Sequence, residues 1–174
     1  VMGNQISKPY IDMTIDSMKY FGVTVKNENF KKYIVESGQL YLKRDYIVEG
    51  DYSSAGYFLA IAALTKSNLV LKNLKADSLQ ADKNFVDILK KLGSKINFEG
   101  DSLFIEGAGV KAVSVDMENC PDQAQTLAVI LAFAKGKSVI TGIRSLRIKE
   151  TERILALQNE LSKMGIKTES TIDS

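Results

Sequence analysis

Lys149-Glu150-Thr151-Glu152-Arg153 alternates charge within five residues. Read as the opening of an amphipathic helix from Lys149 to Met164, it sets two cations four apart on one helical face. Like charges repel there, and a helix N-terminus is already positive. Together the two penalties come to about 0.5–1 kcal/mol. A bound phosphate or carboxylate reverses both, because it is attracted by the helix terminus and by each cation. The same five residues also fit a solvated face on which Glu150 and Glu152 neutralise the pair.

Asp122 is the second candidate. It follows Asn119-Cys120-Pro121, where Asn119 or Cys120 suits a cap and proline suits a first helical position, ahead of a helix predicted over Ala124–Ala134. Aspartate in a first turn ordinarily complements the helix dipole. The chain has no histidine, however, so acid–base chemistry must use carboxylates, lysines or tyrosines. Ser7-Lys8-Pro9-Tyr10 opens another helix with a hydroxyl, a cation and a phenol, and Ser7 fits an N-cap. Gly50-Asp51-Tyr52-Ser53-Ser54 reads as a structural turn into a helix.

The elements that must position these groups repeat. Helical segments end in Met18-Lys19-Tyr20-Phe21-Gly22, Leu89-Lys90-Lys91-Leu92-Gly93 and Leu161-Ser162-Lys163-Met164-Gly165, with glycines 71 and 72 residues apart. Glycine adopts the left-handed conformation that closes a helix. Ala55–Leu74 also parallels Ala124–Ile143: an apolar helix, a polar turn and a β-branched strand. Strands are expected at 23–25, 33–35, 46–48, 69–71, 95–98, 103–105, 113–115 and 138–141, and from Ile166 onward. Amphipathic helices are expected over 7–21 and 82–92. The segments 55–64 and 124–134 are apolar all round, which predicts helices buried on every side. This is α+β repetition, small sheets around central helices, and not one wound sheet. The helix start of the second unit carries Ser53-Ser54 where the third has Asp122. Corresponding ends in a repeat array gather on one face, so Asp122 and the Lys149 turn are expected to share a cleft.

Composition removes other classes. Across 174 residues the net charge is +2 with lysines dispersed, which gives no electrostatic basis for binding nucleic acid. Cys120 is the only cysteine, so neither an intrachain disulfide nor a thiolate metal cluster can form, which fits a reducing cytoplasm. Gly56–Leu64 and Leu127–Ala134 are the longest apolar stretches and are too short to span a bilayer. The pattern predicts a soluble protein that binds no membrane.

Four strings, taken in order, resemble motifs of the 5-enolpyruvylshikimate-3-phosphate synthase family: Ser7-Lys8-Pro9-Tyr10-Ile11-Asp12, Val48-Glu49-Gly50-Asp51 with Ser53-Ser54-Ala55, Pro121-Asp122, and Arg147-Ile148-Lys149-Glu150-Thr151-Glu152-Arg153. The similarity runs over nearly the whole chain. It implies βαβαββ units around buried parallel helices, an inside-out α/β prism in two domains. Residues 1–48 would end one domain and residues 49–174 would form about two thirds of the other. The implied reaction moves the enolpyruvyl group of phosphoenolpyruvate to the 5-hydroxyl of shikimate 3-phosphate, with no metal or organic cofactor.

Position by position, the resemblance makes Asp122 the base at that hydroxyl. Lys149 and Glu150 lie near the hydroxyl and the methylene carbon, Arg153 holds phosphoenolpyruvate, and Ser7 and Tyr10 contact shikimate 3-phosphate. Ser145 stands where many relatives have asparagine and reaches less far. The family's remaining cationic clamp lies outside these residues, so the chain by itself is expected to be catalytically silent. The full-length relative is expected to be monomeric, and apolar faces at the two cut ends predict self-association of this chain. Two other readings stay open here, a transferase acting on a UDP-sugar and a repeat scaffold without chemistry.

Overall fold

A computed structural model describes residues 1–3 and 5–174. Helix α1 (Lys8–Tyr20) leads into the antiparallel hairpin of β1 (Val25–Glu28) and β2 (Lys32–Val35). Then come α2 (Tyr52–Thr65), β3 (Asn68–Lys72), α3 (Asn84–Leu92), β4 (Lys95–Glu99) and β5 (Ser102–Glu106). The last group is β6 (Ser114–Asp116), α4 (Ala124–Leu131), β7 (Val139–Thr141) and α5 (Arg153–Lys163). Three 3-10 turns, Ala81–Lys83, Pro121–Gln123 and Arg144–Ile148, introduce α3, introduce α4 and precede α5.

Strands β3, β5 and β4 form one antiparallel sheet with β5 central, and side-chain burial alternates along each strand as a one-sided sheet requires. Strands β6 and β7 pair in parallel. A parallel pair needs a crossover, which α4 supplies, so Asp122 sits where the chain leaves β6 for the crossover helix. One core joins these layers. Tyr52, Leu59, Ala62 and Ala63 of α2 meet Phe85 and Leu89 of α3, Leu103 and Ile105 of β5, and Leu127 and Ile130 of α4. Small residues bring α2 close to the turn that introduces α4: a Cβ placed on Gly56 would lie 2.3 Å from Gln123 Oε1.

The threefold helix ending is present in detail. Gly22, Gly93 and Gly165 all have positive φ. In each copy the glycine N–H donates three residues back, to Lys19, Lys90 and Ser162, and the next N–H donates five back, to Met18, Leu89 and Leu161. That double bond is the Schellman motif, and it leaves each chain segment heading out of its helix the same way.

Several expectations fail. Residues 46–48 form no strand; instead the Gly50 N–H donates to Asn73 O and the Asn73 side chain to Val48 O, which tethers the segment beyond β3 without a ladder. No strand starts at Ile166, because the closing segment folds back on the 144–148 turn, where Asp173 accepts from the Arg144 N–H at 2.9 Å. The helices α2 and α4 are not buried all round. Tyr57, Phe58 and Ile61 of α2 and Val129 of α4 are exposed, because sheet and helix cover only one side of each among the described residues. Ser7 precedes α1 in a left-handed conformation and makes no side-chain cap, and Cys120 likewise makes none. Helix α1 itself has no buried residue.

Candidate active site

Asp122 gathers the ionisable groups. Proline at the first position of the 121–123 turn and the following helix direct its carboxylate toward the ends of α1 and α5. Arg153 Nη1 donates to Asp122 Oδ1 at 2.9 Å, and Lys149 Nζ lies 3.2 Å from the same oxygen. The Tyr10 hydroxyl donates to Oδ2 at 3.1 Å. Glu150 takes the other edge of the Arg153 guanidinium, accepting from Nε and Nη2 at 2.7 Å each. Two cations and two carboxylates thus balance within one hydrogen-bonded group. The bidentate pairing holds the Glu150 carboxyl below the usual glutamate range and raises Arg153 further, in both cases chiefly through the Glu150–Arg153 hydrogen bonds.

Local structure delivers these side chains differently from the sequence expectation. Residues 144–148 form a 3-10 turn, Lys149 is extended, and α5 begins only at Arg153. Glu152 is its N-cap, accepting from the Leu155 N–H, and its other oxygen accepts from Arg147 Nη1 at 2.7 Å. Lys149 and Arg153 therefore do not share a helical face, and the repulsion argued from that face does not apply. They converge because both bind Asp122.

Behind Asp122 lies a second carboxylate. Asp82, in the turn before α3, is 3% exposed. Ser53 Oγ donates to its Oδ2 at 2.5 Å and Gln123 Nε2 reaches the same oxygen at 3.4 Å. Tyr10 Oη lies 3.5 Å from Oδ1. Burial raises the Asp82 carboxyl above the ordinary aspartate range against the lowering by Ser53 and Gln123, with the nearby Asp122 and Asp51 charges adding to the rise. Burial, and then the charges of Asp82 and Asp122, also push the Tyr10 phenol far above its ordinary range, so Tyr10 keeps its proton. Asp51 caps α2, accepting from the Ser53 and Ser54 N–H groups at 2.9 and 3.2 Å and from Ser54 Oγ at 2.6 Å.

Of the residues singled out in the sequence, Tyr10, Asp122, Lys149, Glu150 and Arg153 come together in this one group. Ser7 and Ser145 do not join it: Ser7 ends the segment before α1, and Ser145 is half-buried in the 144–148 turn. Asp82 and Gln123 belong to no motif in the sequence, and Ser53 stands there only as part of a structural turn into α2 and of a family string. The only signal available for them was a polar side chain next to an apolar helix start at each of the three positions. Chemically, the arrangement offers a carboxylate that already accepts from one hydroxyl, Tyr10 Oη, and can accept a proton from another. Two cations flank it and can take up an anion by exchanging partners.

A sequence model of the family EPSP synthase (3-phosphoshikimate 1-carboxyvinyltransferase) matches residues 1–174. The chain is 40% identical over 174 residues to the 3-phosphoshikimate 1-carboxyvinyltransferase of Sulfurovum sp. (strain NBC37-1), covering 99% of this chain and 41% of the relative. It is 41% identical over 175 residues to the enzyme of the same name from Mannheimia haemolytica, covering 99% and 40%. A solved EPSP synthase from Acinetobacter baumannii superposes with a TM-score of 0.74 at 26% identity, over 94% of this chain and 38% of that one. The chain spans about 40% of the length of the curated relatives it matches.

Proposed function

The chain belongs to the EPSP synthase family, and from that premise we propose that the Asp122 group is part of a site that transfers the enolpyruvyl group of phosphoenolpyruvate to the 5-hydroxyl of shikimate 3-phosphate. The observation that carries the assignment is the convergence of Lys149, Arg153 and Tyr10 on one carboxylate within 2.9–3.2 Å. Asp122 takes the hydroxyl proton as the oxygen bonds to C2 of phosphoenolpyruvate, and the methylene carbon takes up a proton. In the second step that carbon gives up a proton, the C2–O bond to phosphate breaks, and inorganic phosphate leaves. Lys149 and Glu150 serve the methylene carbon.

Arg153 holds the phosphoenolpyruvate anion, and binding it requires a donor now given to Glu150 or Asp122 to change partner. Ser7 and Tyr10 face shikimate 3-phosphate, and Ser145 lies beside it. Residues 1–48 and 49–174 are assigned to the two domains of the whole protein, with the site between them, and the reaction is placed in the cytoplasm. Among the described residues no helix is long and apolar enough to cross a membrane.

The test is amide chemical-shift mapping of this chain titrated with shikimate 3-phosphate, with and without phosphoenolpyruvate, and repeated for Asp122→Ala and Lys149→Ala. Shifts at Ser7, Tyr10, Asp122 and Lys149 that vanish in the variants are expected. Shifts confined to another face of a folded sample would overturn the site assignment.

A further inference from the structure

Tyr10 has one hydroxyl hydrogen, yet two carboxylate oxygens converge on it, Asp122 Oδ2 at 3.1 Å and Asp82 Oδ1 at 3.5 Å. One proton cannot serve both, and the contact to Asp82 is satisfied only if a second proton is supplied. The surroundings of Asp82 say where it resides. Oδ2 already accepts from Ser53 and Gln123, whereas Oδ1 faces Tyr10 alone among its hydrogen-bonding partners. The titratable groups around Asp82 are Tyr10 of α1, Asp51 at the start of α2, and Cys120 and Asp122 at the 121–123 turn. None is cationic, and among the described residues no lysine or arginine forms an ion pair with Asp82. Asp122 differs in this respect, since Lys149 and Arg153 both neutralise it. An ionised carboxylate buried to this degree without a cation is costly, while a neutral one with every oxygen hydrogen-bonded is not.

We propose that Asp82 is a positioning residue of the site: it carries a proton on Oδ1 and donates it to the Tyr10 oxygen, so that the Tyr10 proton is committed to Asp122. The result is a string with one direction, Asp82 to Tyr10 to Asp122. It holds the phenol on Asp122 Oδ2 without adding a second negative charge beside that carboxylate. Gln123, the residue after Asp122, ties the string to the start of α2, because its amide also donates to Ser53 O at 3.1 Å. The raised titration of Asp82, caused first by its burial, agrees with this arrangement. The meaning of the string for proton transfer rests on the proposed role of Asp122, but its existence does not.

The test therefore uses no substrate. The whole chain, isotope-labelled at tyrosine Cζ and aspartate Cγ and assigned with Tyr10→Phe, is followed by NMR as the pH is raised. Asp82 Cγ is expected to titrate above the ordinary aspartate range, with Tyr10 Cζ moving at the same midpoint. In Asp82→Asn the amide can donate to Tyr10 while its carbonyl accepts from Ser53 and Gln123. Across the range in which wild-type Asp82 titrates, Tyr10 Cζ should then hold the position that it has in the wild type below that midpoint. In Asp82→Ala it should be displaced throughout. A Tyr10 resonance that stays still while Asp82 titrates would overturn the proposal. So would displacement by Asp82→Asn as large as that by Asp82→Ala, and if the alanine variant does not fold, the asparagine variant decides alone. Substrate shifts confined to another face beside a positive result here would remove the site assignment and leave the string.

Discussion

Replacing Gly56 by alanine adds one carbon to α2, in a place where the geometry leaves no room for it. The new Cβ would stand 2.3 Å from Gln123 Oε1 and 2.8 Å from both Cδ and Nε2. The far end of a glutamine ordinarily swings aside, but Gln123 is 2% exposed and its Nε2 reaches Ser53 O, Tyr52 O and Asp82 Oδ2. Overpacking of a dense interior costs about 1–3 kcal/mol, and losing the buried amide contacts adds roughly 1 kcal/mol. Alanine's better helix propensity returns about 1 kcal/mol. The net is a loss of about 2 kcal/mol, a fall in melting temperature of roughly 4–8 °C for a chain of this size. Urea and thermal unfolding followed by circular dichroism read it directly. The pair Gly56→Ala with Gln123→Ala should be less destabilised than the sum of the single variants by about 1 kcal/mol, because the alanine at 123 removes the obstacle. A Gly56→Ala protein as stable as the parent, or two variants that simply add, would show that Gln123 is not pinned, and the link from α2 to the Asp122 turn would fall with it.

Arg153→Lys keeps the charge but cannot reproduce the fork that grips Glu150 through two nitrogens and Asp122 through a third. Stability should change by less than about 1 kcal/mol, as expected of partly exposed pairs. Affinity for phosphoenolpyruvate by calorimetry should drop about tenfold or more, some 1.4 kcal/mol, and unchanged affinity would remove Arg153 from the anion site. Asp51→Ala should cost about 1 kcal/mol at neutral pH through loss of the α2 cap. Hydrogen bonding, first from Ser54, lowers the Asp51 carboxyl in the folded protein, so its contribution is present above the unfolded value and is lost as pH falls through the folded one. The stability gap between the parent and Asp51→Ala must therefore narrow on acidification; a gap that is constant with pH would refute the charge-assisted cap.

What the sequence made legible is what is local. The three glycine-terminated helices, the β4–β5 hairpin and the amphipathic α3 depend on neighbours within five residues or on a repeating apolar period, and the structure has all of them. The charge run alone puts the start of α5 at Lys149, whereas the helix starts at Arg153, set by Glu152 capping Leu155. All-round apolarity in α2 and α4 implied total burial, but composition does not say which side neighbours cover. The strand expected at 46–48 has the right residues and no partner strand, since β-propensity expresses itself only against a ladder. In the candidate site, the single residues Asp122, Lys149, Glu150, Arg153 and Tyr10 stood out by type. Asp82 did not, because its meaning comes from Gln123, 41 positions away, and Tyr10, 72 away.

Helix α1 supplies Tyr10 yet buries none of its own residues. Its attachment to the rest therefore rests on few desolvated contacts, whereas α2 and α4 lie in the common core. Free energies of opening follow the same division: α1 can detach in a sub-global step that leaves the remaining layers folded, and α2 opens only with the whole. In amide hydrogen exchange α1 should accordingly lose protection first, and with it the phenol that now fills the space beside Asp122. Detachment of α1 would thus empty the position beside Asp122 Oδ2 while Lys149 and Arg153 keep their ion pairs to Oδ1, so that local stability governs when that carboxylate oxygen is open to a second hydroxyl.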